Sequence, residues 1–175
     1  MAVNYESMDV KETIIKELKR STKAFLEYMD EYASRQTPGD RPECWDVKQV
    51  IEHVVLVDRT VLGLLLSPFS QSKTGHYTKY HMRDLMLNRH KKFKSQKNHD
   101  PERKSEKKIT ELLDEFSTLR HEIMDRVADG KIDIFSEDAY PHPALGLLTR
   151  RDWLYMLSFH SDRHIAQAQE FLFVH

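Results

Sequence analysis

The chain has 175 residues, 39% of them hydrophobic, which is enough for one domain (1–175) with a core of its own. Its 27 basic and 28 acidic residues leave a formal charge of -1, which excludes a global electrostatic pull toward nucleic acid or an anionic membrane. A single cysteine, Cys44, excludes an internal disulfide and any cysteine-rich zinc motif.

Only 5 glycines and 6 prolines occur and few stretches alternate as strands do, so the helical period dominates and an all-α fold is expected. The first helix is predicted from Ser7 to Ser34, with Ile14, Ile15, Leu18, Phe25, Leu26 and Met29 on one apolar stripe. "RQTPGDRPE" breaks it. Asp46 caps a second helix, with Gln49 completing a capping box, and that helix ends near Leu66, before Pro68. A long connection, Pro68 to Pro101, follows; it is expected to hold a short helix around "TKYHMRDLMLNRHKKF". A third long helix runs from Ser105 to Gly130, burying Ile109, Leu112, Leu113, Phe116, Leu119, Ile123, Met124 and Val127. After a loop, "KIDIFSEDAYPHPALGLL", Thr149 and Asp152 cap a last helix that continues to Val174. Four principal helices, with one long crossover between the second and the third, describe a four-helix bundle.

Histidine stands out on this pattern. His160 and His164 lie four apart, so on a helix they share a face. Spacing alone says little, because 10 histidines placed at random in this chain give roughly half an H-x-x-x-H pair. Position says more: Trp153, Leu157, His160, His164, Ala168 and Phe171 form one inward stripe, and His53 interrupts the stripe of Val50, Val57 and Leu64 on the second helix. An unpaired buried polar group costs roughly 1–3 kcal/mol, so three imidazoles facing one interior need partners. Either each finds its own hydrogen bond, or a divalent metal serves all three.

Two segments carry a family resemblance. "WDVKQVIEHV" resembles the W-S-x-x-x-x-x-x-H signature of the DinB/YfiT-like metalloenzyme superfamily, and "HPALGLLTRRDWLYMLSFHSDRHIAQ" resembles its HP-x-x-G and H-x-x-x-H-x-x-Q signatures. The resemblance implies a four-helix bundle with an unusual helix crossing, a frequent homodimer, and one divalent metal, zinc or nickel, held by His53, His160 and His164. It further implies activation of water or of a low-molecular-weight thiol as cosubstrate, as in thiol S-transferases, a thiol-dependent isomerase and a proposed hydrolase. The alternative is a non-catalytic, stress-associated metal-binding or interaction protein. Asp46 stands where the family often has serine, and either residue caps a helix.

Other residues are candidates of lesser weight. His142, between two prolines, is a fourth ligand, a substrate contact or a structural element of its loop, and Gln167, one turn after His164, either orients a ligand or is a polar residue at a helix boundary. Glu52 points about 100° away from His53 around a helix and is a poor general base for the site. Cys44 reads as inert, and Tyr77, Tyr80 and Met82 either line a pocket or pack a short helix. The segment 89–108 has nine Lys or Arg against three Asp or Glu, which either attracts an anionic substrate, cofactor or nucleic acid or is a solvated linker and helix start; Phe93 is its one aromatic residue able to stack on a base, so no nucleic-acid partner is expected. "VLGLLL" is too short to span a bilayer, and the amino-terminal residues lack the apolar stretch of a signal peptide. A cytoplasmic protein acting on a small molecule is the resulting expectation.

Overall fold

A computed structural model describes residues 5–35, 45–69, 71–72, 79–91, 93, 97–101 and 106–172. Most of it is helical. The elements are α1 (Tyr5–Arg35), α2 (Val47–Leu65), β1 (Gln71–Ser72), α3 (Lys79–Leu87), α4 (Ile109–Ala128), β2 (Asp138–His142), β3 (Gly146–Thr149) and α5 (Arg150–Leu172), with a 3-10 turn at Lys97–His99. Cys44 and Tyr77 lie outside the described residues, as do the predicted helix start at Ser105 and helix end at Val174; of Tyr80 and Phe171 only the backbone is described.

The helix boundaries follow local chemistry. Asp46 accepts the Gln49 amide at 2.8 Å while its own amide donates to Gln49 Oε1 at 3.1 Å, so the capping box forms as expected. Thr149 and Asp152 do the same for α5, the Thr149 amide reaching Asp152 Oδ2 at 3.0 Å and the Asp152 amide reaching Thr149 Oγ1 at 3.3 Å. At the end of α4, Gly130 adopts φ 72°, where a side chain would be strained, and its amide bonds the Val127 carbonyl.

The expected all-α character holds for most of the chain, with one small sheet added to it. β1, β2 and β3 form a small antiparallel sheet in that order, with His142 paired to Gly146 and Pro141 to Leu147. The segment that reads as a loop before α5 is therefore a hairpin. Its turn explains the H-P-x-x-G spelling: His142 Nδ1 accepts the amides of Ala144 and Leu145 at 3.1 and 3.2 Å, and Gly146 supplies the φ of 77° that closes the turn.

The core divides into two apolar clusters. One gathers Ile14 and Leu18 of α1, Val57 to Leu65 of α2, Met82 and Met86 of α3, Ile123 to Val127 of α4, and Trp153 to Phe159 of α5. The other gathers Phe25, Met29 and Tyr32 of α1, Val47 to Val55 of α2, Leu112 to Phe116 of α4, and Ala168 of α5. Met82 thus belongs to core packing. Where the clusters meet, every long helix carries buried polar residues: Ser21 and Thr22 on α1, His53 and Asp58 on α2, Arg120 on α4, and Ser158, His160, Ser161 and His164 on α5. A polar layer between two apolar ones brings costly groups within reach of helices from four parts of the chain, while Thr22 Oγ1, Ser158 Oγ and His160 Nδ1 find no partner among the described residues.

Arg120, the largest fully buried side chain, organises that layer. Its guanidinium grips the Asp58 carboxylate through Nε and, at 3.3 Å, through a terminal nitrogen that also donates to the Leu157 carbonyl and Ser161 Oγ, each at 2.8 Å. Burial pushes the Asp58 carboxyl upward, against the pull of the guanidinium beside it. This one ion pair joins α2, α4 and α5 beneath the histidines.

Candidate metal centre

α2 brings His53 to the polar layer, and α5 brings His160 and His164 from one face, four residues apart. All three are buried, and one nitrogen of each lies within 4.8 Å of those of the other two. The rings meet edge to face, with centroids 4.5 Å apart for His160 and His164, and 5.2 and 5.0 Å from His53 to each. Trp45, eight residues before His53, covers its ring at 4.8 Å, which accounts for tryptophan at the head of the signature.

Hydrogen bonds fix which nitrogen two of the three rings offer. His53 Nδ1–H donates to the His99 carbonyl at 2.7 Å, and His164 Nδ1–H donates to Gln167 Oε1 at 2.9 Å. In a neutral imidazole the other nitrogen then carries the lone pair, so His53 and His164 both present Nε2. His160 Nε2 lies 3.1 Å from His164 Nε2, while His160 Nδ1 is buried without a hydrogen-bond partner among the described residues. Burial, first of all, holds all three imidazoles below their ordinary pKa, His160 and His164 well below it; for those two the neighbouring site histidines add to the effect, while the bond from His53 to the His99 carbonyl works against it. Neutral imidazoles are the form a metal requires; His53 and His164 already present Nε2, and His160 presents its own in the tautomer that carries the hydrogen on Nδ1.

The donor set fits a divalent ion. Two nitrogens bound at 2.0–2.1 Å to one tetrahedral ion lie about 3.4 Å apart, close to the separation of the His160 and His164 nitrogens. In either tautomer of His160 the buried Nδ1 has no partner among the described residues, so the fit rests on the separation of the Nε2 atoms.

His142 stands apart from the three-nitrogen group. Its ring packs on Trp153 at 5.2 Å, its Nδ1 is spent on the hairpin turn, and burial lowers its pKa to about 4. Its remaining nitrogen, Nε2, therefore carries the hydrogen. Glu52 is buried with Oε2 unpartnered among the described residues.

Sequence reasoning overlooked Arg120, although it occupies the apolar stripe of α4, four residues after Phe116 and three before Ile123. A charged residue on a core seam was the available signal. It also missed Arg163, which is 6% exposed and donates to the carbonyls of Met86 at 2.6 Å, Asn88 at 3.1 Å and Lys91 at 2.7 Å. Those contacts dock the end of α3 and the start of the basic segment onto α5. No helix among the described residues is long and apolar enough to cross a membrane.

Comparisons with known proteins yield one finding. No curated protein and no solved structure gave a match. The family model of the DinB superfamily matches residues 12–168, which takes in α2, the hairpin and all three clustered histidines. The chain belongs to the DinB superfamily.

Proposed function

We propose that this chain is a metal-dependent enzyme that uses a thiol or a water as nucleophile, with His53, His160 and His164 as the metal ligands. The observation that carries this reading is the convergence of three buried imidazoles, two of which have Nδ1–H already committed to oxygen acceptors. A divalent ion such as zinc or nickel, when bound, supplies the Lewis acidity that lowers the pKa of a water or thiol toward neutrality. The protein's own residues do the rest. The His99 carbonyl and Gln167 orient two of the rings. Burial keeps the imidazoles unprotonated, and Trp45 shields the His53 face from water. The reactions in view are transfer of a low-molecular-weight thiol to an electrophile and, behind it, hydrolysis of an amide or ester.

We also infer a four-helix bundle of α1, α2, α4 and α5, with the connection from α2 to α4 as its crossover. It is supported by the core: the first halves of α2 and α4 share one cluster and their second halves share the other. A cytoplasmic homodimer acting on a small molecule completes the proposal.

A second reading, a non-catalytic metal-binding or interaction protein, is favoured by one observation: among the described residues no carboxylate joins the three imidazoles as a general base. The two readings separate in an assay of small thiols with a chromogenic electrophile, run beside ester and anilide substrates, using metal-loaded and chelated protein. The enzyme reading expects turnover that needs metal and is lost in His160→Ala. Equal background with every nucleophile and substrate refutes it in favour of the binder.

A further inference from the structure

Among the described residues, the long connection touches the candidate metal centre at one turn. Lys97–His99 lies against α2, closed by the Asp100 amide on the Lys97 carbonyl at 3.4 Å and followed by the buried Pro101. His99 is fastened at both ends. Its carbonyl accepts His53 Nδ1–H at 2.7 Å, and its ring Nε2 lies 3.1 Å from Thr60 Oγ1. Thr60 gives its own hydroxyl hydrogen to the Leu56 carbonyl at 2.9 Å, so in the closer of the two contacts of His99 Nε2 it is the acceptor and His99 Nε2–H the donor; the other contact, Asn98 Nδ2 at 3.5 Å, then sets two donors side by side and carries no hydrogen bond. The two attachments are seven residues apart, two turns along one face of α2.

This arrangement separates two roles. The carbonyl selects the tautomer and rotation of His53, because a ring that donates from Nδ1 must present its Nε2 lone pair. The His99 ring, held by Thr60, keeps that carbonyl in place; a half-buried carbonyl on a connecting segment is otherwise free to turn to water. We propose that the 97–99 turn is the positioning element for His53 and that Thr60, acting through the His99 ring, is a positioning residue for the metal centre. The inference rests on the metal reading of His53, His160 and His164. It gives the crossover a function beyond connection: by linkage, whatever displaces the turn weakens metal binding, and a bound metal holds the turn by the same factor.

Thr60 is exposed, so Thr60→Val removes the acceptor without entering the core, Thr60→Ser restores it, and His99→Ala removes the ring but leaves the carbonyl. The experiment measures zinc dissociation constants by competition, alongside imidazole nitrogen spectra of the metal-free full chain. Thr60→Val and His99→Ala should each weaken zinc binding about tenfold, the low end for an outer-sphere partner. Because both break one bond, the double variant should lose no more than either alone, and Thr60→Ser should match wild type. In the metal-free spectra the Nδ1–H form of His53 should give way to a mixture in Thr60→Val, while His164, held by Gln167, is unchanged. Unaltered affinity with an unaltered His53 tautomer, or losses that add in the double variant, would overturn the proposal. A wild type that binds no zinc overturns the metal reading itself; the His53 tautomer then still decides whether the turn positions the ring.

Discussion

Removing Asp58 should be among the costliest single changes in this protein, and the structure says by how much. Asp58→Leu leaves the Arg120 guanidinium fully buried with only the Leu157 carbonyl and Ser161 Oγ as firm acceptors and no counter-charge. Breaking one side of a buried ion pair costs about 3–5 kcal/mol. In a domain of this size each kcal/mol lowers the melting temperature by about 2–4 °C, so the variant should melt roughly 6–20 °C early. Asp58→Leu with Arg120→Met should recover most of this. The double change strands little, because Ser161 Oγ already donates to the Leu157 carbonyl at 3.2 Å. Replacing a buried pair by apolar residues is often neutral or stabilising by about 1–4 kcal/mol. Urea unfolding followed by circular dichroism measures both. A loss below about 1 kcal/mol for Asp58→Leu, or a double variant as unstable as the single one, would refute the claim that a desolvated ion pair joins these helices.

Two further predictions concern the elements that hold α5. His142 has a folded pKa of about 4 against an ordinary 6.5, so as pH falls the unfolded chain takes up the proton first; its contribution is intact above 6.5 and is lost between 6.5 and about 4. His142→Asn, which keeps an acceptor for the Ala144 and Leu145 amides without titrating, should flatten the stability-against-pH curve of the metal-free protein in that window; an unchanged slope contradicts the assignment. Asp152→Ala removes the acceptor for the Thr149 amide and hydroxyl and should cost about 1 kcal/mol by thermal or urea unfolding, whereas a change within about 0.3 kcal/mol would show that the cap contributes little.

The helices were legible because their apolar stripes are long and their caps are spelled out in Asp46–Gln49 and Thr149–Asp152. The three histidines were legible for the same reason, since an imidazole on a core seam violates a pattern that is otherwise kept. The sheet was not. β2 is five residues with a proline and β3 is four residues beginning with glycine, too short for alternation to register, and the pairing that makes them strands joins residues whose preferences favour turns. Arg120 was hidden by a different bias: a stripe read only for its apolar members passes over the one charged residue on it. The partners of His53 and Arg163 had no signal at all, because a backbone carbonyl 46 residues away, or three of them more than 70 away, leaves no trace in residue type.

The central claim is that three buried imidazoles hold one metal ion, and metal content tests it most directly. Protein purified without a histidine tag, analysed by plasma mass spectrometry, should carry about one divalent ion per chain, and should fall below about 0.1 in each of His53→Ala, His160→Ala and His164→Ala. A wild type below about 0.1 ion per chain after metal loading, with a melting temperature indifferent to chelator, would contradict it.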